Sequence, residues 1–284
     1  MEVRKAKSAG FCFGVKKAMD TVQEQIEKNQ GKPIFTFGPL IHNEEVVKSL
    51  QNQGVEVIHS LEELKALQDG IVIIRSHGVP KSIYSNLEER GLECVDATCP
   101  FVKRIHTIVE KESQAGKQIL IVGNDKHPEV EGIKGWCVTP AIVIESVEEA
   151  EKFSYSGEKN ICIVSQTTFN YNKFQEVVEI ISKKAYNVSV VNTICNATEE
   201  RQTEAKKLAA EADVMIVIGG SHSSNTRKLY EICKEECKET FFLQTLDDLH
   251  LEFPKAIRLV GITAGASTPN NIIEEVQNYV RINF

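Results

Sequence analysis

Short apolar runs rich in Val and Ile alternate with helical patterns along the whole chain, and this alternation limits the fold more than any other feature. The clearest runs cover residues 34–37, 71–74, 118–122, 161–164, 214–218 and 258–262. Each is apolar almost without interruption, as expected of parallel strands covered on both faces. Helical periodicity fills the intervals, for example over 81–90, 172–184, 224–234 and 270–281. Strand–helix–strand alternation builds right-handed crossovers and a parallel sheet. The expected class is therefore α/β, with mainly parallel sheets.

A chain of 284 residues holds one large core or two to three small ones. Three cysteines suggest how it divides. Cys12 precedes a helical run at 16–29, Cys99 one at 102–114, and Cys195 one at 199–212. They are 87 and 96 residues apart, so each stands near the start of one third of the chain. Three similar α/β domains are expected, over 1–98, 99–194 and 195–284, in a pseudo-threefold arrangement that lets the three thiols converge on one axis.

Polar loops repeat with the cysteines. After each cysteine come a helix, a strand and a loop carrying His42, His127 or Ser223, at offsets of 30, 28 and 28 residues. A second strand and loop follow, with His77, Thr167 and Ser267 at offsets of 65, 68 and 72. Ligands of parallel α/β sheets bind beyond the carboxyl ends of the strands, where all six loops are expected to lie.

A thiol at a helix N-terminus feels the positive end of the helix dipole, which favours thiolate. A lone cysteine more often simply packs, and Cys94, Cys137 and Cys162 are read that way. Cys233 and Cys237, four residues apart on one helix, read as one apolar stripe. The repeated placement of Cys12, Cys99 and Cys195 points instead to ligation. Zinc held by three thiolates and an iron–sulfur cluster both suit such a set, and the spacing does not choose between them.

His42, His77 and His127 sit at equivalent strand ends, whereas His59, His106 and His250 read as capping or core-edge residues. The loop 219–225, with Ser223, Ser224 and Asn225, and the loop 264–269, with Ser267, each enter a helix. Their hydroxyls and N–H groups suit an anion such as a diphosphate, although simple N-capping explains them too. Neither a P-loop nor a Gly-x-Gly-x-x-Gly motif follows a strand, so no nucleotide is implied. Glu129 and Glu131 are the carboxylates nearest this chemistry, either of them able to relay a proton or to lie solvated in a loop.

Charge and composition exclude several classes. A net charge of −7 argues against a nucleic-acid surface. No apolar run has transmembrane length and the first ten residues do not read as a secretory signal, so no membrane partner is expected. A cytoplasmic location keeps the eight cysteines reduced and sets aside a disulfide framework.

The motifs Gly10–Val15 around Cys12, Ile41-His42-Asn43, Ser76-His77-Gly78-Val79, Asp96-Ala97-Thr98-Cys99-Pro100 and His127-Pro128-Glu129-Val130-Glu131-Gly132 occur in order. Gln166-Thr167-Thr168, Ile194-Cys195-Asn196-Ala197-Thr198, Ser223-Ser224-Asn225 and Thr263-Ala264-Gly265-Ala266-Ser267 complete the set. Together they resemble the 4-hydroxy-3-methylbut-2-enyl diphosphate reductase family, the last enzyme of the non-mevalonate isoprenoid pathway. The resemblance implies a 4Fe-4S cluster held by Cys12, Cys99 and Cys195, whose fourth iron binds the substrate hydroxyl. It implies substrate binding by His42, His77, His127, Thr167, Ser223, Ser224, Asn225 and Ser267, and proton delivery by Glu129. It also implies a reductive dehydroxylation giving isopentenyl and dimethylallyl diphosphates, with ferredoxin or flavodoxin as electron donor. Competing classes are a zinc hydrolase on the same thiolates, a non-catalytic redox sensor, and a diphosphate isomerase or lyase that needs no reductant.

Overall fold

All six apolar runs form strands in the computed structural model, which describes residues 1–29, 31–155, 160–184, 187–249 and 257–283. His250 lies outside the described residues. The chain begins β1 (Glu2–Lys5), α1 (Phe13–Lys28), β2 (Ile34–Phe37), α2 (Glu44–Asn52), β3 (Val55–Ile58), α3 (Leu61–Ala66), β4 (Ile71–Ile74), α4 (Lys81–Glu89) and β5 (Glu93–Asp96). It continues α5 (Pro100–Gln114), β6 (Gln118–Val122), α6 (Pro128–Lys134), β7 (Ile142–Ile144), α7 (Val147–Lys152), β8 (Ile161–Ser165), α8 (Tyr171–Lys183) and β9 (Val188–Val190). The last third runs α9 (Asn196–Glu211), β10 (Val214–Ile218), α10 (Ser224–Glu236), β11 (Thr240–Leu243), β12 (Leu259–Ala264) and α11 (Asn270–Asn283).

Among the described residues these strands make three four-stranded sheets, and every paired neighbour is parallel. The orders are β3-β2-β4-β5, β7-β6-β8-β9 and β11-β10-β12-β1. One pattern therefore occurs three times, with a difference in the third. There the fourth strand is β1, from the opposite end of the chain, with Val3 beside Val260 and Lys5 beside Ile262. Each cysteine of the set thus follows the fourth strand of a sheet: Cys12 after β1, Cys99 after β5 and Cys195 after β9.

The two middle strands of every sheet are buried at each residue, whereas β1, β5 and β9 contain no fully buried residue. Strand periodicity then sends alternate residues to opposite layers. Val214, Ile216 and Ile218 pack with Ile272, Ile273, Val276 and Val280 of α11. Met215 and Val217 face Ala205, Leu208 and Ala209 of α9, with Leu229 and Cys233 of α10. Burying each such side chain contributes about 1.5–3 kcal/mol. Cys162, Cys233 and Cys237 belong to these cores, as their apolar surroundings in the sequence indicated. Cys94 differs: it is exposed, because β5 is an edge strand.

By contact the chain forms two units. One comprises Met1–Lys16, Ile41–Ser49 and Asn196–Phe284 and holds the sheet containing β1; the other comprises Lys17–Leu40 and Leu50–Cys195 and holds the two remaining sheets.

Candidate active site

Parallel strands present all their carboxyl ends at one edge of the sheet, and each sheet uses that edge in the same way. The first and third strands of each chain-order set lead into polar loops, and the fourth leads to a cysteine. A backbone hydrogen bond ties the last two together each time. Cys99 N–H donates to Ser76 O at 3.0 Å, Cys195 N–H to Thr167 O at 3.0 Å, and Cys12 N–H to Ala266 O at 3.1 Å. The thiols are therefore held in equivalent local settings, each half-buried and none in a disulfide. Burial pushes Cys137 and Cys233 up to about 12 and also raises Cys162 and Cys237, which keeps those thiols protonated and inert. Cys12, Cys99 and Cys195 are instead each partly accessible, as a metal-ligating thiol must be.

The unit containing Cys99 and Cys195 also carries His77, His127, Glu129 and Thr167. His127 is the N-cap of α6, and its Nδ1 accepts the Glu129 N–H at 3.1 Å. A neutral imidazole that accepts at Nδ1 carries its proton on Nε2. The rings of His77 and His127 meet edge to face with centroids 5.5 Å apart. Pro128 opens α6 and Glu129 follows, its side chain only 2% exposed. Both carboxyl oxygens face Thr167: Oε1 accepts its N–H at 2.6 Å and Oε2 its hydroxyl at 2.7 Å. Burial pushes the Glu129 carboxyl up to about 7, against the opposing pull of those two bonds. It can therefore hold or release a proton near neutral pH. Glu131, the alternative carboxylate, lies 3.6 Å from Arg75 and is largely solvated.

The loop bearing His77 is held from behind. Trp136 Nε1 donates to Val79 O at 3.0 Å, and the Trp136 ring stacks on His106 at 5.0 Å. Gly78 has a φ of +72°, and a Cβ there would come within 2.5 Å of His106 Cε1. Only glycine fits both demands. His106 is buried, and desolvation pushes it down to about 4, so it packs as a neutral ring.

The other unit carries Cys12, His42, Ser223, Ser224, Asn225 and Ser267. Ser223 caps α10 by accepting the Thr226 N–H at 3.3 Å, which leaves its own proton available to a ligand. Asn225 is 4% exposed, and neither polar atom of its amide has a hydrogen-bond partner in the protein. Burying an amide unpaired is costly, so this group calls for a polar ligand. Ser267 Oγ donates to His42 O at 2.9 Å and joins those two loops. His222 is exposed and lies 3.6 Å from Glu44, turned to solvent.

Two residues that sequence reasoning passed over secure Cys12. Arg201 of α9 is 3% exposed; its guanidinium donates to Ser8 O through Nε at 2.9 Å and to Gly10 O through Nη2 at 2.7 Å. Glu204, one turn on, accepts the N–H groups of Lys7 at 2.7 Å and Ser8 at 2.8 Å. The available signal was positional. Arg201 occupies an inward position among Thr198, Gln202, Ala205 and Leu208, where a charge requires a partner.

Strand-end thiols and a buried carboxyl that exchanges its proton near neutrality are the equipment of an α/β oxidoreductase. Within that class the chain belongs to the LytB protein family, whose sequence profile matches residues 3–281. A relative from Caldanaerobacter subterraneus subsp. tengcongensis, named 4-hydroxy-3-methylbut-2-enyl diphosphate reductase, is 46% identical over 276 residues, covering 97% of this chain and 95% of its own. One of the same name from Clostridioides difficile is 45% identical over 280 residues, covering 99% of each chain. Among solved structures, the E-1-hydroxy-2-methyl-but-2-enyl-4-diphosphate reductase from Plasmodium falciparum aligns with a TM-score of 0.92 at 28% identity, covering 99% of this chain and 88% of that one. A second, titled as (E)-4-hydroxy-3-methyl-but-2-enyl diphosphate reductase, the terminal enzyme of the non-mevalonate pathway, aligns at 0.70 with 42% identity and 99% coverage of both chains.

Proposed function

We propose that the chain is a reductase of (E)-4-hydroxy-3-methylbut-2-enyl diphosphate, removing its hydroxyl to give isopentenyl and dimethylallyl diphosphates. Two electrons and two protons are consumed, and the oxygen leaves as water. The observation that carries this reading is the threefold repetition of a thiol anchored by its N–H to a strand-end loop. Cys12, Cys99 and Cys195 would hold a 4Fe-4S cluster. Bound there, such a cluster supplies single electrons and an open iron acting as a Lewis acid.

The remaining steps belong to side chains. His42, His77 and His127 bind diphosphate oxygens, and so do Ser223, Ser224, Asn225 and, once its hydroxyl turns away from His42 O, Ser267. Neutral donors suit this task because their hydrogen bonds to a charged acceptor are strong without a fixed cation. Thr167 contacts the substrate hydroxyl and keeps Glu129 oriented. Glu129, protonated below about pH 7, delivers a proton to the reacting allylic group and is then recharged.

Three domains over 1–98, 99–194 and 195–284 are part of this proposal, supported by the repeat of one strand order in three sheets, although β1, within 1–98, pairs into the third sheet. Ferredoxin or flavodoxin is the proposed donor in the cytoplasm, with neither nucleic acid nor membrane as partner. No helix among the described residues is long and apolar enough to cross a membrane.

An anaerobic assay with and without an electron donor, alongside iron and sulfide analysis, tests this reading. Brown protein that turns over only with reductant is the expected result. Colourless zinc protein, or turnover without reductant, would overturn it.

A further inference from the structure

Among the described residues two phenylalanines are exposed, Phe13 at 65% and Phe101 at 37%. Each stands just behind a proposed cluster ligand: Phe13 directly follows Cys12, and Phe101 comes two residues after Cys99. The other described phenylalanines are buried or half-buried. Leaving a phenyl ring in water forgoes about 1.5–3 kcal/mol of burial, so folding alone does not favour aromatics at these positions.

Charge accompanies the rings. Lys16 and Lys17 are exposed on α1, three and four residues beyond Phe13, and therefore share its face of the helix. Neither lysine takes part in an ion pair among the described residues. The first acid on that face is Asp20, a turn further along. On α5, Arg104 stands exposed three residues beyond Phe101 in the same relation. The helix behind Cys195 differs, beginning with Asn196 and carrying exposed Glu199 and Glu200 in place of the ring and cations. An aromatic–cation opening is thus no general property of these cysteine-led helices. It is also a local reversal of sign in a chain with net charge −7.

We propose that the first turn of α1, with Phe13 as anchor and Lys16 and Lys17 as rim, docks a small acidic one-electron carrier protein. The inference rests on the reductase reading above. Each docking oxidises the carrier by one electron and reduces the enzyme by one. Two dockings and two protons therefore convert one substrate and release one water. Such a partner must leave between electrons, which suits a small apolar anchor with a salt-screened charged rim. The anchor is also covalently next to a proposed cluster ligand, which gives an electron a short bonded route inward. The same face could instead bind a second copy of the chain, an outcome the test includes.

The test compares holoenzyme in four forms: wild type, Phe13→Ala, the double variant Lys16→Glu/Lys17→Glu, and Ile282→Ala. Ile282, 81% exposed on α11, serves as an apolar control. Each is driven either by dithionite with methyl viologen or by reduced bacterial ferredoxin. Dithionite-driven turnover should agree among all four. Ferredoxin-driven kcat/KM should fall about tenfold or more in Phe13→Ala and in the charge reversal, but not in Ile282→Ala. Calorimetric binding of oxidised ferredoxin to apo and loaded protein should weaken in parallel, and added salt should weaken wild-type binding. Equal ferredoxin rates and affinities in wild type and Phe13→Ala would overturn the proposal. So would a wild-type dimer that Phe13→Ala dissociates. Absence of dithionite-driven turnover in wild type would sink the reductase reading instead, and the binding arm would still decide the docking surface.

Discussion

Glu129 shows how one buried carboxyl acquires its chemistry. Two hydrogen bonds from Thr167 favour the carboxylate, yet desolvation prevails and moves the group to about 7. Glu129→Gln should keep metal content while losing most turnover, and the fall of wild-type kcat as pH rises through about 7 should vanish in the residual activity. Normal turnover in that variant would exclude the proton role. The same shift affects stability. Unfolded, the carboxyl loses its proton near 4.5; folded, near 7, so native stability decreases as pH rises across that window. His106 acts in the opposite sense, since burial lowers it from 6.5 to about 4 and stability decreases as pH falls. Each contribution amounts to about 3 kcal/mol by linkage, and the two largely cancel in wild type. Urea unfolding of apo Glu129→Gln should therefore show a steeper loss of stability between pH 7 and pH 4 than wild type. Parallel profiles would contradict the buried, proton-holding state. At the same scale, changing Cys12, Cys99 or Cys195 to Ser should lower bound iron and activity together, measured by iron analysis and anaerobic assay.

The element that links packing to the site is α9. The lead-in to Cys12 is longer than the other two: six residues separate it from β1, against two between β5 and Cys99 and four between β9 and Cys195. The ladder to β12 ends with Ala6 N–H donating to Ile262 O, so the chain beyond needs other partners. Arg201 and Glu204 supply them. Arg201→Met should unpin Ser8 and Gly10, raising the maleimide reactivity of Cys12 in apo protein several-fold while that of Cys99 and Cys195 stays constant. Uniform reactivity would show that the clamp does not hold this loop. Helix α9 itself was legible from its periodicity, but the clamp was not. Its partners lie more than 190 residues away in sequence, at 193 for Ser8 and 191 for Gly10.

Across the whole chain, β1 closes the last sheet and sets Cys12 in the place that Cys99 and Cys195 hold in theirs. Val3 packs against the core of that sheet, so Val3→Asp should cost on the order of 2–4 kcal/mol. A lower urea midpoint together with faster Cys12 labelling is the expected result; an unchanged midpoint would place β1 outside the cooperative fold. The sequence by itself determined the α/β class, the six middle strands, the polar loops and the three cysteines. Those features are local: a strand buried on both faces must be continuously apolar, and turn chemistry marks its end. Tertiary structure decided the edge strands, including β1, because half-solvated segments such as Glu2–Lys5 acquire strand character only from the neighbour that pairs with them. It also decided the proton affinity of Glu129. That depends on desolvation and on Thr167, 38 residues distant, and no local pattern records either.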